Sequence, residues 1–98
     1  MRIAISKTAD QDLIAGFRFY KIKGLEVGHY FMDSLISDID SLVLYAGIHR
    51  KVDGYYVMLS RRFPFSIYYK IENDIVRIRR VLDCRRDPAW IKKALKRG

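Results

Sequence analysis

The chain has 98 residues, of which 50% are apolar and 31% charged, and its formal net charge is +8. That length suits one domain with its own core and excludes two, and the composition excludes a disordered chain. No apolar run approaches the roughly 18 residues of a membrane span, and Lys7, Asp10 and Asp12 interrupt the early apolar block that a secretion signal needs, so a cytoplasmic protein with no membrane partner is expected.

Arg2 to Ser6 alternates and is rich in isoleucine, the pattern of a short strand. Thr8 followed by Gln11 matches a capping box, which predicts a helix over residues 9–23 with Leu13, Ile14, Phe17 and Tyr20 on one stripe and Gly24 placed to stop it. A second helix is predicted over residues 26–45. Phe31, Leu35, Ile39 and Leu42 form its stripe, Asp33, Ser37, Asp38 and Asp40 lie mostly opposite, and Gly47 ends it. Two amphipathic helices separated by one glycine make an antiparallel hairpin, and each stripe needs an apolar surface to cover it.

A sheet supplies that surface. Asp53-Gly54 between Val52 and the run Tyr55–Leu59 is a hairpin signal. Phe63 to Glu72 sets Phe65, Ile67, Tyr69 and Ile71 against Ser66, Tyr68, Lys70 and Glu72, and Asn73-Asp74 turns the chain into a last strand. There Val76, Ile78, Leu82 and Cys84 share one parity, while Ile75, Arg77, Arg79, Val81 and Asp83 share the other. One face is expected to be apolar and the other cationic. Arg80 has the apolar parity, so either a bulge reorients it or its stem crosses the core edge to water.

Asp87-Pro88 reads as an N-cap followed by proline at the first helical position of a helix ending near residue 97. Trp90, Ile91, Ala94 and Leu95 form its apolar side and leave Lys92, Lys93, Lys96 and Arg97 exposed. Such a tail either docks on the sheet or frays until a partner covers it. The expected fold is α+β in a single domain over residues 1–98: an N-terminal strand, an antiparallel helical hairpin on a twisted antiparallel sheet, and a short C-terminal helix.

Charge is placed unevenly. Residues 1–49 carry five Lys/Arg against six Asp/Glu, a balance of −1, and residues 50–98 carry fourteen against five, a balance of +9, which together make +8. This points to a nucleic acid, an anionic surface or an acidic protein as partner, against the plainer reading of a solvated basic surface. Cys84 is the only cysteine, so an intrachain disulfide and a thiolate cluster are excluded, and it reads as a small buried residue at a strand end. His29 and His49 have no neighbour at metal-ligand spacing, and neither metal nor cofactor is expected.

The order of elements, together with H-R-K-V-D-G-Y-Y, R-R-F-P-F-S-I-Y-Y-K-I-E and V-L-D-C-R-R-D-P, resembles the RelE/ParE superfamily of type II toxin–antitoxin toxins from Ala4 to Trp90. The resemblance implies a small basic protein that inhibits growth, serves functions such as plasmid stabilization and is neutralised by an acidic antitoxin. It implies one of two targets. RelE-like members cleave messenger RNA on the ribosome, with sheet-face cations holding the phosphate and a Tyr, His or Glu near the chain end as acid or base. ParE-like members bind and poison DNA gyrase without that catalytic set.

Carried onto this chain, the cations are Lys70, Arg77, Arg79 and Arg85, and the proton-transfer groups are Tyr68, Asp83 and His49. Aspartate at position 83 replaces the histidine of many relatives and makes a poor acid beside Arg85 and Arg86, and no tyrosine follows Tyr69, which favours the ParE-like branch. Arg61, Arg62, Tyr68, Lys70, Arg77, Arg79, Arg85 and Arg86 are the expected target-binding residues, and Trp90, Ile91 and Leu95 form an exposed apolar edge for the antitoxin. A non-toxic nucleic-acid-binding module, with Tyr55, Tyr56, Tyr68 and Tyr69 stacking bases, is the reading of a different class.

Overall fold

The computed structural model describes residues 1–98. In chain order the elements are β1 Arg2–Ile5, α1 Lys7–Lys21, α2 Leu25–Asp40, α3 Leu42–Tyr45, β2 Lys51–Val52, β3 Tyr55–Leu59, β4 Phe65–Glu72, β5 Ile75–Asp83 and α4 Pro88–Lys96. One five-stranded sheet runs β1-β5-β4-β3-β2. Its last four strands in sequence form an antiparallel meander, and both predicted hairpin turns have left-handed backbone, at Asp53 and Gly54 (φ 52° and 84°) and at Asn73 and Asp74 (φ 51° and 64°). The expectation of an antiparallel sheet fails at one edge, where β1 runs parallel to β5 with Ile3 opposite Val76. Parallel neighbours need a long crossover, and the chain between β1 and β5 provides one, while alternation of side chains carries no information about direction.

The caps differ from the expected ones. Ser6, extended at the end of β1, accepts from the Ala9 amide at 3.0 Å and starts α1 two residues before the Thr8 box. Gly24 begins α2 at φ 147° and does not close α1, whose C-cap is Ile22. The predicted second helix is interrupted at Ser41, whose hydroxyl donates to the Asp38 carbonyl at 2.6 Å and competes with the backbone ladder. The hairpin helices approach closely because of two glycines. A Cβ on Gly16 would sit 2.4 Å from Phe31 Cζ, and one on Gly28 would sit 2.8 Å from Lys21 Cβ.

Phe31, Leu35, Ile39 and Leu42 from the helices meet Phe65, Ile67, Tyr69, Val76, Ile78 and Val81 from the sheet in the main core. Phe31 stacks on Tyr20 at 5.1 Å between ring centroids and meets Phe63 and Phe65 edge-on at 5.1 and 4.9 Å. The opposite sheet face is not the open cationic surface that parity suggests. Tyr55, Val57, Tyr68 and Leu82 form a second apolar cluster there, covered by Ala94 and Leu95 of α4.

A β-bulge in β5 explains the part of the difference that concerns Val81 and Leu82. Tyr68 pairs with Arg80 but Tyr69 pairs with Ile78, so Arg79 is the extra residue and every position after it changes face. Val81 thereby enters the main core, and Leu82 joins the α4 side. Arg80 is reoriented as one alternative required, although its guanidinium stays buried. Cys84, expected inside, is exposed past the strand end. Asp38, expected on the polar side of α2, is only 3% exposed, because positions 34, 35, 38 and 39 of α2 all turn inward. No helix is long and apolar enough to cross a membrane.

Candidate functional site

The site is built around α4. The Asp87 carboxylate caps the helix by accepting from the Ala89 amide at 3.1 Å, with Pro88 following. The other end is held from the sheet. Tyr55 donates its hydroxyl hydrogen to the Leu95 carbonyl at 2.8 Å, and Arg80 Nη1 donates to the Ala94 carbonyl at 2.8 Å. A guanidinium on the last carbonyls also suits the negative end of the helix dipole. Asp12 of α1 fixes that guanidinium through bonds of 2.8 and 3.0 Å from Nε and Nη2 and accepts from the Val81 amide at 3.0 Å. Arg80 is therefore fully used in joining α1, β5 and α4.

Beside this junction, Lys70, Lys92 and Lys96 line a cleft of about 350 Å³ together with Asp53, Tyr55 and Leu95. Three ammonium groups face one carboxylate there. Lys70 Nζ lies 4.8 Å from the Tyr55 ring centroid, a cation–π arrangement that holds it in place. Sequence reading left Lys92 and Lys96 on a solvated helix face; their i, i+4 spacing was the available signal, but only the docking of α4 sets them beside Lys70. Arg77 is the cross-strand partner of Lys70, and its charge is shared with Glu72, 2.9 Å away.

The remaining predicted residues disperse. Arg79 occupies the bulge, out of line with Lys70 and Arg77, with its Nε buried and unbonded and its carbonyl accepting from Ser6 Oγ at 3.2 Å. Asp83 accepts from Arg85 Nε at 3.0 Å and Nη2 at 2.7 Å, and these bonds hold its carboxyl below the ordinary aspartate range. Arg86 stacks on Trp90, 3.8 Å from the ring centroid. Arg61 and Arg62 are exposed in the loop between β3 and β4. Tyr68 is buried in the α4-side cluster, and burial raises its phenol above the usual range. Of the expected apolar edge, Trp90 is 38% exposed and Ile91 is half-buried, but Leu95 is 4% exposed and packs on the sheet.

His49 stands on the hairpin side, apart from these cations. Gly47 donates its amide to Tyr69 Oη at 3.0 Å, and His49 Nδ1 lies 2.5 Å from the same oxygen. Burial lowers the His49 pKa from its ordinary value.

No protein-family model matches the chain, and no curated protein matches it. A search of solved structures finds a chain from the chromosomal ParDE TA system of P. aeruginosa, with a TM-score of 0.74 and 23% sequence identity over 83% of this chain and 92% of that one. The two chains share a fold, the one the RelE/ParE resemblance implies.

Proposed function

We propose that this chain is the toxin of a type II toxin–antitoxin pair, that it acts in the ParE manner by binding DNA gyrase, and that an acidic antitoxin neutralises it. The fold shared with a chain of a ParDE system carries the reading, and the +8 net charge suits an acidic partner. Target binding is assigned to Lys70, Arg77, Arg79, Arg85 and Arg86 with Arg61 and Arg62, and antitoxin contact to Trp90 and Ile91, with Leu95 reachable only if α4 lifts.

The preference for binding over cleavage follows from proton-transfer chemistry. Cleavage by a 2′-hydroxyl needs a base and an acid around one phosphate. Asp83 is kept ionised by Arg85, Tyr68 is buried and strongly protonated, and His49 is engaged with Tyr69 on the other side of the sheet. The adjacency of Lys70 and Arg77 supports the second reading, a RelE-like ribosome-dependent mRNA endoribonuclease, because paired cations suit a phosphate.

Induction in cells separates the two. Gyrase poisoning is expected to give cleaved chromosomal DNA and an SOS response with intact messages, and co-expression of an acidic partner encoded beside the toxin restores growth. Ribosome-dependent message cleavage by the purified protein, lost in Arg79→Ala, would make it an RNase instead.

A further inference from the structure

The last turn of α2 holds a buried carboxylate with no ion-pair partner. Asp38 is 3% exposed, and its Oδ2 accepts from Ser60 Oγ at 2.7 Å and from the Arg61 amide at 3.3 Å. Both donors are neutral. The ion pairs of the protein are Arg77 with Glu72, Arg80 with Asp12 and Arg85 with Asp83, so the sunken Asp12 has its guanidinium and Asp38 has none. No basic residue stands in the last turn of α2, where the helix dipole adds further negative potential. An ionised carboxylate in such a place is costly until a cation joins it.

Asp38 also lines a cleft of about 460 Å³ with Tyr45, Ile48, His49, Met58 and Arg61. The cleft is open and of mixed polarity, with Ser37 and Ser41 also lining it and with Tyr45 54% and Ile48 74% exposed. His49 Nδ1 is engaged with Tyr69 Oη and burial disfavours its charged form, and Arg61 gives Asp38 its backbone amide without an ion pair from its guanidinium. No group of three or more His, Cys, Asp or Glu side chains stands together to hold a metal ion, so an organic cation is the better match for Asp38. A buried carboxylate flanked by Tyr45, Ile48 and Met58 matches a cation on a methylene stem.

We infer that this cleft is a socket for one arginine or lysine side chain of a protein partner, with its cation on Asp38 and its stem against Met58 and Tyr45. The inference goes beyond the toxin reading. It requires that a partner acidic enough to cover the basic half also places one basic residue, flanked by apolar ones, at the end of α2. That residue helps to set the register of the complex, since a positive charge laid on the basic half of the chain would be repelled.

The test uses the purified full chain and two peptides, acetyl-leucyl-arginyl-leucinamide and its uncharged isostere with citrulline, titrated while the amide NMR signals of Ser41, Ser60 and Arg61 are followed. The arginine peptide is expected to shift these signals saturably, and the citrulline peptide to bind at least about tenfold more weakly. Asp38→Asn should remove the difference, and Ile48→Ser, on the exposed rim, should weaken the arginine peptide without disturbing the fold. Equal binding of both peptides, or arginine binding unchanged in a folded Asp38→Asn, overturns the socket. Binding that appears only in Arg61→Ala overturns it too, by showing that Arg61 itself occupies the cleft. If Asp38→Asn does not fold, the arginine–citrulline contrast in the native chain decides. None of these readouts depends on growth arrest, so the socket and the toxin reading fail separately.

Discussion

On the hairpin side of the sheet, thirteen buried residues from α1, α2, α3 and the two strands β4 and β5 interlock, with Phe31 and Leu35 fully inaccessible. On the α4 side there are six, and Tyr55, Tyr68 and Leu95 each keep 4–8% of their surface. A nine-residue helix has little stability alone. Its place depends on that small cluster and on the two donors, Tyr55 and Arg80, that bind its last carbonyls. The larger side thus determines whether the protein folds, and the smaller side decides what surface it presents, an assignment that local opening can alter without global unfolding.

The sharpest way to break this comparison is to truncate one side chain on each face. Phe31→Ala should lower the unfolding free energy by about 3–5 kcal/mol in denaturant titration, and Leu95→Ala by about 2 kcal/mol, near the low end for a buried leucine. Equal losses would mean that both faces form one cooperative core. Asp12→Ala leaves the Arg80 guanidinium largely buried without its partner and should cost about 3 kcal/mol, with α4 loosened as well. A loss confined to the stability of α1 would show that Arg80 does not transmit to the terminal helix.

Tyr55→Phe removes only the hydroxyl bond to Leu95, so a loss of about 1 kcal/mol is expected. It should appear as faster hydrogen exchange in α4 while α1 and α2 keep native protection. Two pH effects on stability are smaller. Burial lowers the His49 pKa from 6.5, so the unfolded chain binds more protons below that value; stability is complete above pH 6.5 and declines as pH falls toward the folded pKa. His49→Gln should flatten the melting temperature in that range. Asp83, lowered from 3.8 chiefly by Arg85, contributes fully above about pH 4, and its stabilisation is lost as pH falls through the lower folded value. Because the Arg85 side chain is 57% exposed, Asp83→Asn should cost no more than about 1 kcal/mol at pH 7, and nothing below the folded pKa.

Local chemistry made much of the architecture legible in advance. The hairpins at Asp53-Gly54 and Asn73-Asp74, the cap at Asp87-Pro88 and the stripe through Phe31, Leu35 and Ile39 depend on neighbours within a few residues, which is the range over which turn geometry and helical periodicity act. The site was less legible. Lys70 and Arg77 could be paired from the two-residue turn at Asn73-Asp74 and strand alternation, but Lys92 and Lys96 joined them only when α4 docked.

The amino-acid sequence by itself determined the α+β class, the order of elements, most of the main core and the concentration of positive charge after residue 50. Tertiary structure alone decided the parallel pairing of β1, the bulge at Arg79, the burial of Arg80 against Asp12 and the isolation of Asp38. The physical reason is range. Propensity and periodicity report a residue's fit to its own helix or strand. Strand direction, a one-residue slip in register and the partner of a buried charge are settled by groups far away in the chain, such as Asp12 and Arg80, that meet only when the layers close.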